Sequence, residues 1–135
     1  MSRPVVHRRR RLGGSAIEFA LLMPLFLGVL AGIIEYGWYE QRQALLTSAV
    51  RRAARTGATA GEYESPVENA KAKLTEGLVD HGFTASDVVV EVRGSAPDAV
   101  VYVESQVKYD ALLGLVPVPP KNAAAVGMRL EVQNR

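Results

Sequence analysis

The 135-residue chain contains no cysteine, which excludes a disulfide framework and any thiolate metal site and leaves the redox compartment open. Histidine is nearly absent as well. His7 lies in the basic N-terminal stretch and His81 beside a predicted helix end, so no histidine pair exists for a metal or a proton relay. His81 there reads as a capping or solvated residue. No Gly-rich phosphate loop, nucleophile elbow or zinc pattern occurs, and Glu62, Glu64, Asp80 and Asp87 stand at spacings that match no calcium loop. The residues thus point away from an enzyme and call for no cofactor. Net positive charge is confined to one place. Five of the 16 basic residues (Arg3, Arg8, Arg9, Arg10 and Arg11) lie in residues 1–13 without an acid, leaving 11 against 14 acids, a balance of −3, in the rest. The body offers no basic face for nucleic acid.

What the sequence does have is one long apolar run. Phe19 to Ile34 holds sixteen residues without a charge, bounded by Glu18 and Glu35. As a helix this run rises roughly 24 Å at about 1.5 Å per residue, short of a hydrocarbon core of about 30 Å. Adding Ala16, Ile17 and Tyr36-Gly37-Trp38-Tyr39 brings it near the ~20 residues a span requires, with Tyr36, Trp38 and Tyr39 as interfacial rings. The arginine cluster precedes the span, so the positive-inside rule places the N-terminus in the cytoplasm and the remainder outside. A cleaved secretory signal fits poorly, because Glu-Tyr-Gly-Trp-Tyr-Glu, not a small-x-small site, follows the run. Arg10-Arg11-Leu12 has the look of a twin-arginine signal, yet the chain shows no cofactor motif of the kind such clients carry. Within the span, Gly28 and Gly32 form a Gly-x-x-x-Gly pair that lets two helices approach closely.

The junction Arg11-Leu12-Gly13-Gly14-Ser15-Ala16-Ile17-Glu18-Phe19 resembles the type IV prepilin class, in which a basic leader ends in glycine and a peptidase cuts before the apolar helix. A cut between Gly13 and Gly14 puts Glu18 in the fifth place, where that class carries a glutamate. Glu18-Phe19, Leu22-Met23-Pro24-Leu25, Ile34-Glu35-Tyr36-Gly37 and Ala53-Ala54-Arg55-Thr56-Gly57-Ala58 are similar to landmarks of the TadE-like pseudopilins of tight-adherence pili, over about residues 11–61. The resemblance implies a structural minor pilin that is the substrate of a prepilin peptidase. Its partners would be membrane lipid, other pilin subunits and the assembly machinery. It implies processing at Gly13 and Gly14 and an assembly role for Glu18 and Phe19. The alternative is an uncleaved single-pass signal anchor with an outer binding domain.

The expected organisation is a leader at 1–13, a transmembrane helix segment at 14–40 and an extracytoplasmic α+β domain at 41–135. Leu45, Leu46, Ala49, Val50, Ala53 and Ala54 recur at spacings of three and four, so one apolar stripe continues outside the bilayer. Gln43, Thr47, Ser48, Arg51, Arg52 and Arg55 would take the other face. This spine should run from about Ala16 to Thr56, loosened or kinked at Pro24, and end near Gly57 and Gly61. Ser65-Pro66-Val67-Glu68 starts a short helix with Val67, Ala70, Leu74 and Leu78 buried and Gly82 as its stop. Three alternating stretches follow, with Val88, Val90 and Val92, then Val101, Val103 and Val107, then Val126, Met128, Leu130 and Val132 on the core face of an antiparallel sheet. Gly94 to Asp98 should turn the first strand into the second. The apolar connection 111–120 either covers one end of the core or presents a patch to another subunit.

Overall fold

The computed structural model of the chain describes residues 12–61, 64–95 and 97–131. Helix α1 (Leu12–Ala58) is followed by helix α2 (Pro66–Asp80) and strands β1 (Ala85–Arg93), β2 (Val100–Lys108) and β3 (Lys121–Arg129). The strands form an antiparallel sheet in the order β1-β2-β3. The fold is therefore α+β: a long helix and a short one packed on a three-stranded meander. Val132 and the arginines at 3 and 8–11 lie outside the described residues.

With 47 residues, α1 is about 70 Å long at about 1.5 Å per residue, and it continues through Pro24. It begins a turn earlier than Ala16, so Gly13 and Gly14 are helical, although each glycine costs a helix about 1 kcal/mol relative to alanine. Its far end is held by local and distant donors. The Thr59 amide and hydroxyl both donate to the Arg55 carbonyl, and the Glu131 amide donates to the Ala58 carbonyl at 3.0 Å. Gly57 is where α1, α2 and β2 meet. A Cβ there would stand 2.7 Å from the Pro66 carbonyl oxygen and 2.8 Å from Ala70 Cβ, so only glycine permits this approach.

Both ends of α2 follow from single residues. Ser65 Oγ accepts from the Glu68 amide, Pro66 opens the first turn, and Gly82 at φ +65° closes the helix. The Phe83 amide donates to Leu78 O and the Gly82 amide to Val79 O, a Schellman arrangement that places Phe83 against Leu78 in the core. His81 is the cap residue itself. Gly94 (φ +85°) opens the β1–β2 connection, and an Asp98 amide to Ser95 O bond closes it.

In the sheet, Val103 of the central strand faces Val90 on one side and Val126 on the other. Its core-facing row, Val101, Val103, Ser105 and Val107, is fully buried, with a serine inside an otherwise valine row. Against it pack Leu46, Ala49, Val50, Ala53 and Ala54 from α1 and Ala70, Leu74 and Leu78 from α2. Val90, Val126, Met128 and Leu130 are partly buried against this core, because they lie on the sheet's two outer strands and its end. Two expectations need correction. Strand β3 starts at Lys121, not near Val126. Gln43 faces the sheet and not solvent: its amide donates to Ala123 O at 2.7 Å and accepts from buried Asn122 at 2.8 Å. That polar pair fixes how far along β3 the helix sits.

Candidate membrane and assembly site

From Gly14 to Leu30 every residue of α1 is exposed, and no part of the folded body covers its apolar window. Leu21 and Leu25 are 75% and 67% exposed. A helix core-packed in water would bury such residues, and an apolar surface of this extent needs another apolar phase. By length and composition the helix can cross a membrane.

The expected site residues lie along this bare half. Gly13 and Gly14 occupy its first turn, and a Cβ on Gly14 would meet nothing within 4 Å. Glu18 follows one turn later on the same side, exposed, with Phe19 exposed beside it. The two span glycines differ. A Cβ on Gly28 would face open space, whereas one on Gly32 would stand 3.8 Å from Val116 Cγ2. Gly28 is open to another helix, and the Gly32 side is already flanked by the chain's own loop.

That loop discloses a residue whose role the sequence reading did not assign. Glu35 ends the apolar run, yet it is 0% exposed. Its Oε1 accepts from the Tyr109 hydroxyl at 2.7 Å and the Leu112 amide at 3.0 Å. Its Oε2 accepts from the Leu113 amide at 2.7 Å and the Gly114 amide at 3.1 Å. Three successive backbone amides converge on one carboxylate because Gly114 adopts φ +66° and bends the chain around it. A buried carboxylate costs several kcal/mol unless its lone pairs are filled, and here four donors fill them. Burial, and then the Glu35 hydrogen bond and charge, push the Tyr109 hydroxyl up to about 12.

Neighbouring contacts seat the same loop. Tyr39 packs edge-on against Tyr109 at 5.2 Å, and the Tyr36 hydroxyl donates to Pro117 O at 3.3 Å. Segment 111–117 thus lies beside α1 at Gly32 to Tyr36 rather than capping the core, and it leaves Leu112, Leu113 and Leu115 exposed. Just beyond, the Arg42 guanidinium stacks over Phe83 at 4.3 Å and donates to His81 O. Among the described residues no group of three or more His, Asp or Glu side chains could hold a metal ion.

No curated protein and no solved structure matches the chain. A family model described as TadE-like protein matches residues 13–55. That stretch, which contains the glycine junction, Glu18, the bare apolar helix and Glu35, is similar to the TadE-like family.

Proposed function

We propose that the chain is a structural minor pilin or pseudopilin of a tight-adherence pilus, held in the bacterial cytoplasmic membrane before assembly and contributing to the initiation, tip or stability of the filament. The TadE-like match over residues 13–55 carries this reading, because it falls on the segment where leader, glutamate and span meet. The family is associated with the tight-adherence pilus and is structural. A prepilin peptidase cuts between Gly13 and Gly14 on the cytoplasmic face, and the outer domain stands on the far side. Helix-weakening glycines suit the cut, since the first turn must unwind to enter a protease cleft.

After the cut, Gly14 carries a new α-ammonium four residues from Glu18. In a filament core with little water a lone carboxylate is costly, and a neighbouring subunit's ammonium offsets that cost while setting the axial register of adjacent helices. Glu18 therefore serves assembly and not cleavage. The Glu18→Ala variant should be processed and inserted normally yet be missing from sheared pili. Normal incorporation would contradict this role and leave Glu18 as an acid that reaches the headgroups. A second reading, an uncleaved anchor with an outer binding domain, draws on the continuity of α1 through Gly13 and Gly14.

A further inference from the structure

We propose that segment 111–117 is a membrane-docking loop, latched by Glu35 and seated in the outer headgroup and acyl boundary of the bilayer that α1 crosses. This rests on the reading of α1 as a membrane span. The uncharged run Phe19–Ile34 is sixteen residues, about 24 Å long against a hydrocarbon core of about 30 Å. The bilayer boundary therefore falls near or beyond Glu35, where a bare carboxylate would be costly. Glu35 is not bare: it is fully enclosed, and what encloses it is the loop.

Several features of the loop suit contact with lipid at the headgroup boundary. It lies at the depth of the end of the span, with Val116 beside Gly32 and the Pro117 carbonyl on the Tyr36 hydroxyl. Backbone in an apolar phase must have its polar groups satisfied by protein, and the amides of 112, 113 and 114 are all spent on Glu35. No charged residue occurs from Ala111 to Pro120, while Lys108, Asp110 and Lys121 flank the loop at headgroup level. Leu112, Leu113 and Leu115 are 51%, 45% and 73% exposed, and the loop that carries them lies at the level of Ile33 and Ile34, which are 64% and 50% exposed on the sides of the helix the loop leaves open. Sharing the level of the span's uncovered apolar side chains favours lipid as the occupant. The loop would give the outer domain a second foothold, limiting its swivel about α1.

The chain has no cysteine, so single labels can be placed without background. Full-length Leu115→Cys, Phe26→Cys and Val79→Cys, each carrying an environment-sensitive fluorophore, would be reconstituted at low density into phosphatidylcholine and phosphatidylglycerol vesicles. Quenching by lipids spin-labelled near the headgroup or deep in the chain reads the depth of each. The expected result is deep quenching at 26, shallow quenching at 115 and none at 79, which lies exposed on α2. Quenching at 26 with none at 115 would overturn the docking loop and leave the anchor standing. An absence of quenching at 26 would overturn the anchor itself. Protection of 115 that appears only as protein density rises would overturn lipid in favour of a second copy of the chain. Glu35→Gln replaces one acceptor by an amide donor, so it should lower quenching at 115 toward the level at 79 while the cooperative melt persists. Unchanged quenching in that variant would remove Glu35 as the latch.

Discussion

Helix α1 is one continuous element with two unlike halves. Leu25 in its first half is 67% exposed and Leu46 in its second is 0% exposed, although both are leucines in the same helix. The second half has polar residues on one side because water meets that side, and the sheet and α2 cover the other. The first half is apolar all round, and none of the described residues outside the helix covers it. Secondary structure alone does not tell the halves apart; the distribution of polar residues around the axis does. Glu35 marks the border, and its clasp on the loop means that packing of the folded body reaches back into the first half of α1.

The largest expected effect separates the halves directly. Leu46→Ala should cost the folded body about 2–5 kcal/mol by opening a cavity in the core. Leu25→Ala should leave the same melt within about 0.5 kcal/mol, since Leu25 touches no part of the body. Thermal melts of the full chain in detergent, followed by near-ultraviolet circular dichroism, check both. Equal losses would mean that the first half also packs on the body.

A second contrast uses glycines. Gly57→Ala improves helix propensity but drives a methyl group into Pro66 and Ala70, so it should destabilise by about 1–3 kcal/mol. Gly28→Ala meets open space and should not lower the melting temperature of the body. If Gly28 is a helix contact between subunits, that variant should instead lower recovery in pili.

A third contrast concerns the border. The Tyr109 hydroxyl is raised in the folded state to about 12, from about 10 in an unfolded chain. The stability it contributes is therefore fully present below pH 10 and is lost as pH rises toward 12. Tyr109→Phe lacks the hydroxyl, so the melting gap between it and the wild type should shrink over that window. A constant gap would mean that Tyr109 does not ionise against Glu35.

Much of the architecture was legible because it rests on local chemistry. Ser65-Pro66 and Gly82 bound α2 through groups a few residues away, and the stripe from Leu45 to Ala54 is periodic in itself. The valine alternation in β2 marked the core face even though Ser105 interrupts it, whereas on the edge strand β1 Val90 alone of the three valines expected in the core is partly buried, and Val88 and Val92 are exposed. The start of β3 was not legible, since Asn122-Ala123-Ala124-Ala125 lacks β-branched residues and its pairing comes from β2. Gln43 looked like a surface residue because its partner Asn122 is another amide almost 80 positions away. At the candidate site, Glu18 was named through the resemblance to prepilins and the span glycines through their Gly-x-x-x-Gly spacing, whereas the Glu35 clasp could not be named at all. Three of its four donors are backbone amides, which carry no side-chain signature. The available signal was an acid closing an apolar run and, far along the chain, an apolar loop with a glycine in it.

The central claim is that this chain is a processed pilin-like subunit and not a permanent anchor. Intact-mass measurement of the protein purified from membranes of cells with and without the cognate prepilin peptidase tests it most directly. The account predicts a mature chain beginning at Gly14 only where the peptidase is present, and retention of the leader in a Gly13→Leu variant. A chain that still begins at Met1 or Ser2 in cells making the enzyme would contradict it.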